Sequence, residues 1–111
     1  MHFTNIETIE KDGFTIRFDV APETDDPRGH FDDDGETAQA IFDGRFEWFV
    51  ARVTASRKGV ELGADYLGGC CYANVRDFIT PGDSYFDDMV TNAIGQARDV
   101  IESLRNETVG A

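Results

Sequence analysis

Between Arg45 and Tyr72 the chain reads RFEWFVARVTASRKGVELGADYLGGCCY, two β-like runs hinged on Arg57-Lys58-Gly59. No other stretch limits the fold as tightly. In the first run Phe46, Trp48 and Val50 alternate with Phe49, Ala51, Val53 and Ala55. Successive strand residues point to opposite faces, and large apolar groups on both predict a strand covered on both sides. In the second, Val60, Leu62, Ala64 and Tyr66 are expected on one face, with Glu61 and Asp65 opposite. Gly68-Gly69 predicts a bulge before Cys70, Cys71 and Tyr72. The pair should form the middle of an antiparallel sheet.

Residues 2–10 and 14–20 repeat the theme around Lys11-Asp12-Gly13. Asp-Gly between β-like runs is a strong hairpin signal, because a tight primed turn needs residues with positive φ. Phe14, Ile16, Phe18 and Val20 alternate with Thr15, Arg17 and Asp19, the period of a half-buried strand. Residues 21–35, APETDDPRGHFDDDG, break the pattern and read as an acidic loop. A short helix should follow, N-capped by Asp34, with Ala38, Ile41 and Phe42 as its apolar face and Gly44 as its stop. Asn74 to Thr80 reads as one helical turn ended at Pro81.

The last element is a long helix. Ser84 and Asp87 resemble a capping box. Phe86, Met89, Val90, Ala93, Ile94, Ala97, Ile101 and Leu104 make one stripe at helical spacing. Gly95 is expected to let it sit close to the sheet, and the tail 106–111 to fray. The expected fold class is α+β. It is a single domain over 1–111, ordered β-β-α-β-β-α, with a four-stranded antiparallel sheet and the C-terminal helix packed across one face. One helix covers one face, so Phe46, Trp48 and Val50 need the short helix or a second subunit; on that ground a homodimer is favoured.

Chemistry is harder to find. Adjacent Cys70 and Cys71 seldom pair with each other, and no CxxC zinc pair occurs. A Cys/His nucleophile would need His2 or His30, one at the terminus and one in the acidic loop. Asp32-Asp33-Asp34-Gly35-Glu36-Thr37 imitates a calcium loop, yet its Gly is displaced and no Glu falls at the twelfth position. There is no GxGxxG, phosphate loop or GxSxG. The expectation is no enzyme, no cofactor and no metal.

Charge is the unusual bulk property: 22 acids against 10 bases give −12 at pH 7, with only Lys11 and Lys58 as lysines. Such a field repels nucleic acid and anionic membranes and attracts a basic protein surface. No apolar run approaches the roughly 20 residues needed to span a bilayer. Residues 1–13 have no basic n-region or apolar h-region, so the cytoplasm of a bacterial host is the expected compartment. From Asp19 to Asp43 nine acids are opposed by Arg28 alone. Asp25, Asp26, Asp32, Asp33, Asp34 and Glu36 are the candidate partner-binding charges, with Phe31 as an aromatic anchor. Glu7, Glu47, Glu61, Asp65, Asp88, Asp99 and Glu102 are expected on outward faces. Alternate strand residues lie about 6.6 Å apart, comparable with successive phosphates, so carboxylates on this spacing suit a basic groove that normally holds DNA or RNA. Equally, acids can simply solubilise a surface, or suit a high-salt cytoplasm.

VTASRKGVELGADYLGGCCY with YFDDMVTNAI, about half the chain, resembles small proteins of phages and mobile elements. Small acidic proteins of that kind include anti-CRISPR and anti-restriction inhibitors. The resemblance implies an inhibitor of a basic nucleic-acid-binding complex that mimics nucleic acid and binds none directly. The alternative is a dimeric structural or regulatory interaction module whose acids confer solubility.

Overall fold

The computed structural model describes residues 2–31, 33–80 and 84–110, with side chains at 2–31, 33–80 and 85–106. Four strands, β1 (Thr4–Lys11), β2 (Phe14–Pro22), β3 (Glu47–Arg57) and β4 (Val60–Tyr72), form one antiparallel sheet in chain order. Helix α1 (Glu36–Phe42) lies between β2 and β3. A 3-10 turn (Val75–Ile79) and helix α2 (Ser84–Gly110) follow β4. The α+β class and the helix on one face of the sheet are as expected.

Both hairpins close on primed two-residue turns, with φ of 54° and 83° at Asp12 and Gly13 and 53° and 79° at Lys58 and Gly59. Lys11 pairs with Phe14, Thr15 with Ser56 and Arg57 with Val60. Both turns therefore lie at one end of the sheet, and both long connections, 23–46 and 73–83, leave from the other. Helix α2 starts at the connection end and runs back: Asn92 donates to Asp65 at 2.9 Å, and Arg98 reaches Asp12 at 3.7 Å. The molecule is elongated, 60 × 25 × 23 Å, with a radius of gyration of 16.9 Å; a compact domain of this length would give about 13 Å.

The core sits between the sheet and α2. Phe14, Ile16, Phe18, Phe49, Ala51, Val53 and Ala55 meet Met89, Val90, Ala93, Ile94 and Ala97 there, all buried. Phe78 of the 3-10 turn plugs the connection end. It is fully buried, stacked on Phe18 at 5.2 Å and edge-on to Tyr72 at 5.4 Å. Its turn is set by Asn74, whose side chain accepts from the Arg76 amide at 2.9 Å. Val75, Phe78 and Ile79 stand at i, i+3 and i+4, the spacing of one helical face, and Val75 and Ile79 pack against the same core.

Several expectations change. The helix approaches the sheet over Gly63, not Gly95: a Cβ on Gly63 would meet the Ala93 carbonyl oxygen at 2.0 Å, whereas one on Gly95 would meet nothing within 4 Å. A register shift between Ala55 and Ser56 inserts an extra residue in β4. This splits the presumed single face: Leu62 packs against the core, whereas Ala64 pairs with Thr54 and Tyr66 with Arg52 on the opposite face. Asp65, placed opposite Leu62 by simple alternation, turns toward α2. Alternation predicts faces only where the ladder is unbroken. The second bulge, at Gly68-Gly69, falls where expected.

Helix α1 begins at Gly35 (φ 85°), not Asp34, which itself has φ 57°. Asp33 Oδ2 accepts from the Thr37 amide at 3.1 Å and from the Thr37 hydroxyl. Gly44 ends it in a Schellman motif, Arg45 N–H to Ala40 O at 2.8 Å and Gly44 N–H to Ile41 O at 3.0 Å. Ala38 and Ala40 are buried, but Phe42, expected on the apolar face, is 59% exposed. Leu104 is also exposed, because α2 outruns the sheet, and the helix runs through Gly110. Pro81 and the Ser84 side chain lie outside the description, so the proline stop and the capping box do too.

Candidate acidic interface

On the sheet face away from α2, β3 has no helix across it, whereas its other face is packed against α2. Phe46 precedes the strand and is exposed. Trp48 is roofed by the acidic loop: His30 and Phe31 meet its ring edge-on at 5.5 and 5.7 Å, and its Nε1–H donates to the Asp25 carbonyl at 2.8 Å. The loop provides that cover. The Glu23 amide donates to the Trp48 carbonyl at 3.1 Å, and Glu23 Oε1 accepts from the Gly69 amide at 2.7 Å, which pins the loop to the β4 bulge.

This anchoring sorts the candidate residues. Phe31 is half-buried against Trp48, a roof and not an exposed anchor. Asp33 is used locally, accepting from the Thr37 amide and hydroxyl in the first turn of α1. Asp26 is bound by Arg28, whose Nε donates at 2.9 Å and whose amide donates at 2.9 Å. Those hydrogen bonds hold its carboxyl at about 2, below the ordinary 3.8. Asp25, Asp34 and Glu36 are exposed, and Asp32 lies outside the described residues.

Asp19, the first of the nine acids counted from Asp19 to Asp43, is buried at 1% exposure. It lies on the face opposite α2, beneath a polar cluster. Arg52 Nη2 donates to its Oδ2 at 2.9 Å, Asn5 donates to its Oδ1 at 2.9 Å, and Arg17 lies 3.5 Å from Oδ1. Phe3 stacks on the Arg52 guanidinium at 4.0 Å and touches Tyr66 edge-on at 6.2 Å. Burial alone would raise this carboxyl, but the hydrogen bonds from Asn5 and Arg52 and the two guanidinium charges outweigh it, and the net shift is downward. Alternation placed Asp19 on the correct face; nothing in the sequence signalled that Phe3 and two arginines would close over it.

What remains is an asymmetry along the long axis. Among the described side chains, five acids at the turn end, Glu10, Asp12, Glu61, Asp99 and Glu102, meet five bases, Lys11, Arg57, Lys58, Arg98 and Arg105. At the connection end, described residues 23–47, 77, 87 and 88 contribute eleven acids against Arg28, Arg45 and Arg76, a net of −8. The −12 of the chain is therefore concentrated at one end.

The cysteines border a cleft of about 320 Å³ lined by Phe31, the 67–72 bulge segment and Tyr85. Burial pushes the Cys71 thiol up, the opposite of what thiolate chemistry requires, and His30 is turned to Trp48. No described helix is long and apolar enough to cross a membrane. No protein-family model matches the chain, and no curated protein or solved structure matches it either.

Proposed function

We propose that the chain is an inhibitor of the anti-CRISPR or anti-restriction type, which inserts its acidic end into the basic groove of a nucleic-acid-binding defence complex. The observation that carries this reading is the concentration of charge: among the described side chains, a net −8 at the connection end against zero at the turn end. Acids placed only for solubility would be expected on all sides. An end about 25 Å across carrying carboxylates in place of phosphates displaces the counterions of a basic groove as nucleic acid does. Asp25, Asp34 and Glu36, exposed at that end, supply charge, with Asp87 and Asp88 near the start of α2 beside the same end.

The test is a pull-down with the tagged protein from a lysate carrying CRISPR and restriction systems, eluted by a salt step. A basic complex released by salt, and competed by its own RNA or DNA, is the expected capture. In the combined variant Asp25→Asn, Asp34→Asn, Glu36→Gln, the slope of log affinity against log salt should fall by about one per carboxylate. Unchanged affinity and slope would remove this end as the contact. The second reading, an interaction module with solubilising acids, is favoured by the local use of Asp26, Asp33 and Glu23 in holding the loop itself. Beads that hold only the protein itself would select it.

A further inference from the structure

The two edges of the sheet are finished differently. Along β4 the outward amides are taken by side chains: Ala64 donates to Gln96 Oε1 at 3.2 Å, Tyr66 to Asp65 Oδ1 at 3.0 Å and Gly69 to Glu23 Oε1 at 2.7 Å. That edge is closed to another strand. Along β1, the primed turn makes Lys11 and Phe14 a hydrogen-bonded pair, so Glu7, Ile9 and Lys11 bond inward to β2. Thr8 and Glu10 turn their amides and carbonyls outward. The Thr8 amide reaches only its neighbour's carboxylate, Glu7 Oε1, at 3.2 Å. Among the described residues nothing caps the Glu10 amide or the two carbonyls, and Thr8, Ile9, Glu10 and Lys11 are all exposed.

We infer that this edge pairs with the same edge of a second copy, antiparallel and centred on Ile9. The occupant follows from the side chains. In that register Ile9 faces the partner's Ile9, Glu7 faces the partner's Lys11, Lys11 faces the partner's Glu7, and Thr8 and Glu10 exchange their outward hydrogen bonds with the partner's Glu10 and Thr8. Directly opposite apolar and opposite-charge pairs are the stabilising unit of a sheet, and like charges opposite are destabilising. Centring on Glu10 would set that acid against itself and Ile9 against Lys11; centring on Thr8 would set Glu7 against Ile9. Segment 7–11 is thus self-complementary in one register. Its position adds a second argument. Ile9 lies close to the hairpin turn, so antiparallel pairing overlaps the charge-balanced ends and sends the two acidic ends in opposite directions, where repulsion between bodies of −12 each is weakest. The inference stands apart from the proposed function.

Sedimentation velocity over a concentration series tests it. The wild-type chain should dimerise. Glu10→Pro removes an outward amide and leaves the inward ladder intact, and should weaken the dimer about tenfold or more. Glu7→Lys and Lys11→Glu each set like charges opposite and should do the same alone. An equimolar mixture of those two variants should restore dimers, because position 7 of the Glu7→Lys copy then faces position 11 of the Lys11→Glu copy with opposite charge. That rescue separates pairing from any loss of the Glu7–Arg76 contact (3.3 Å), and far-UV circular dichroism confirms folding. A wild-type chain that stays monomeric throughout, a dimer indifferent to Glu10→Pro, or a mixture that remains monomeric would each overturn the inference.

Discussion

Beneath α2 the chain is held by interlocking surfaces: Phe18 against Phe78, the Ala93 carbonyl against the bare face of Gly63, Val53 and Ala55 without solvent. Between Glu23 and Gly44 it is held by separate polar contacts, one to the Gly69 amide, one from Trp48, one within Asp33 and Thr37, and by two rings laid on Trp48. The first region has the close packing in which a single methyl is felt. The second has few groups buried deeply enough to resist replacement, and it carries eight of the 22 acids. The difference teaches where this sequence is free to vary its surface: the acidic end can be rebuilt without disturbing the fold, whereas the floor under the helix cannot.

Five substitutions sharpen that contrast. Phe78→Ala should cost most, about 3–5 kcal/mol, read as a drop in thermal midpoint by circular dichroism; a loss below about 1 kcal/mol would mean that the 3-10 turn is only an ornament on the core. Gly63→Ala drives a methyl into the Ala93 carbonyl and should cost about 2–3 kcal/mol by lifting α2, whereas Gly95→Ala, which meets nothing, should be neutral or slightly stabilising.

Asp19→Asn comes third, about 2 kcal/mol, less than for a fully buried pair because Arg52 keeps 28% exposure. It also has a pH signature. The Asp19 carboxyl ionises below its ordinary 3.8 in the folded chain, so its contribution is complete above that value and is lost as pH falls through the lower folded value. Acid unfolding of Asp19→Asn should be correspondingly shallower below 3.8. Arg28→Ala should leave the thermal midpoint unchanged, an exposed pair contributing little, while the Asp26 carboxyl, followed by NMR titration, rises from about 2 toward 3.8. A substantial loss of stability there would place the acidic loop among the structural parts of the molecule.

The hairpins and the long helix were legible because their signals are local: Asp12-Gly13 and Lys58-Gly59 demand primed turns, and the stripe from Phe86 to Ile101 has the helical period. Phe78, Gly63 and Asp19 were not. Each owes its role to residues far along the chain, Phe18 for the first, Ala93 for the second, Asn5 and Arg52 for the third. The expected faces of β4 failed for a related reason, since one inserted residue reverses alternation and leaves no mark in the composition. Within the candidate site, the acids themselves were legible. Their division into spent and exposed was not, because it depends on Arg28, Thr37 and the Gly69 amide lying where the folded loop can reach them.

Lys11 and Lys58 occupy the two hairpin turns, and both turns lie at the end remote from the acids. A lysine-directed reagent therefore sees one end of the molecule. Coupled to a bead or a sensor chip through those side chains, the protein stands upright, with its carboxylates facing the solution.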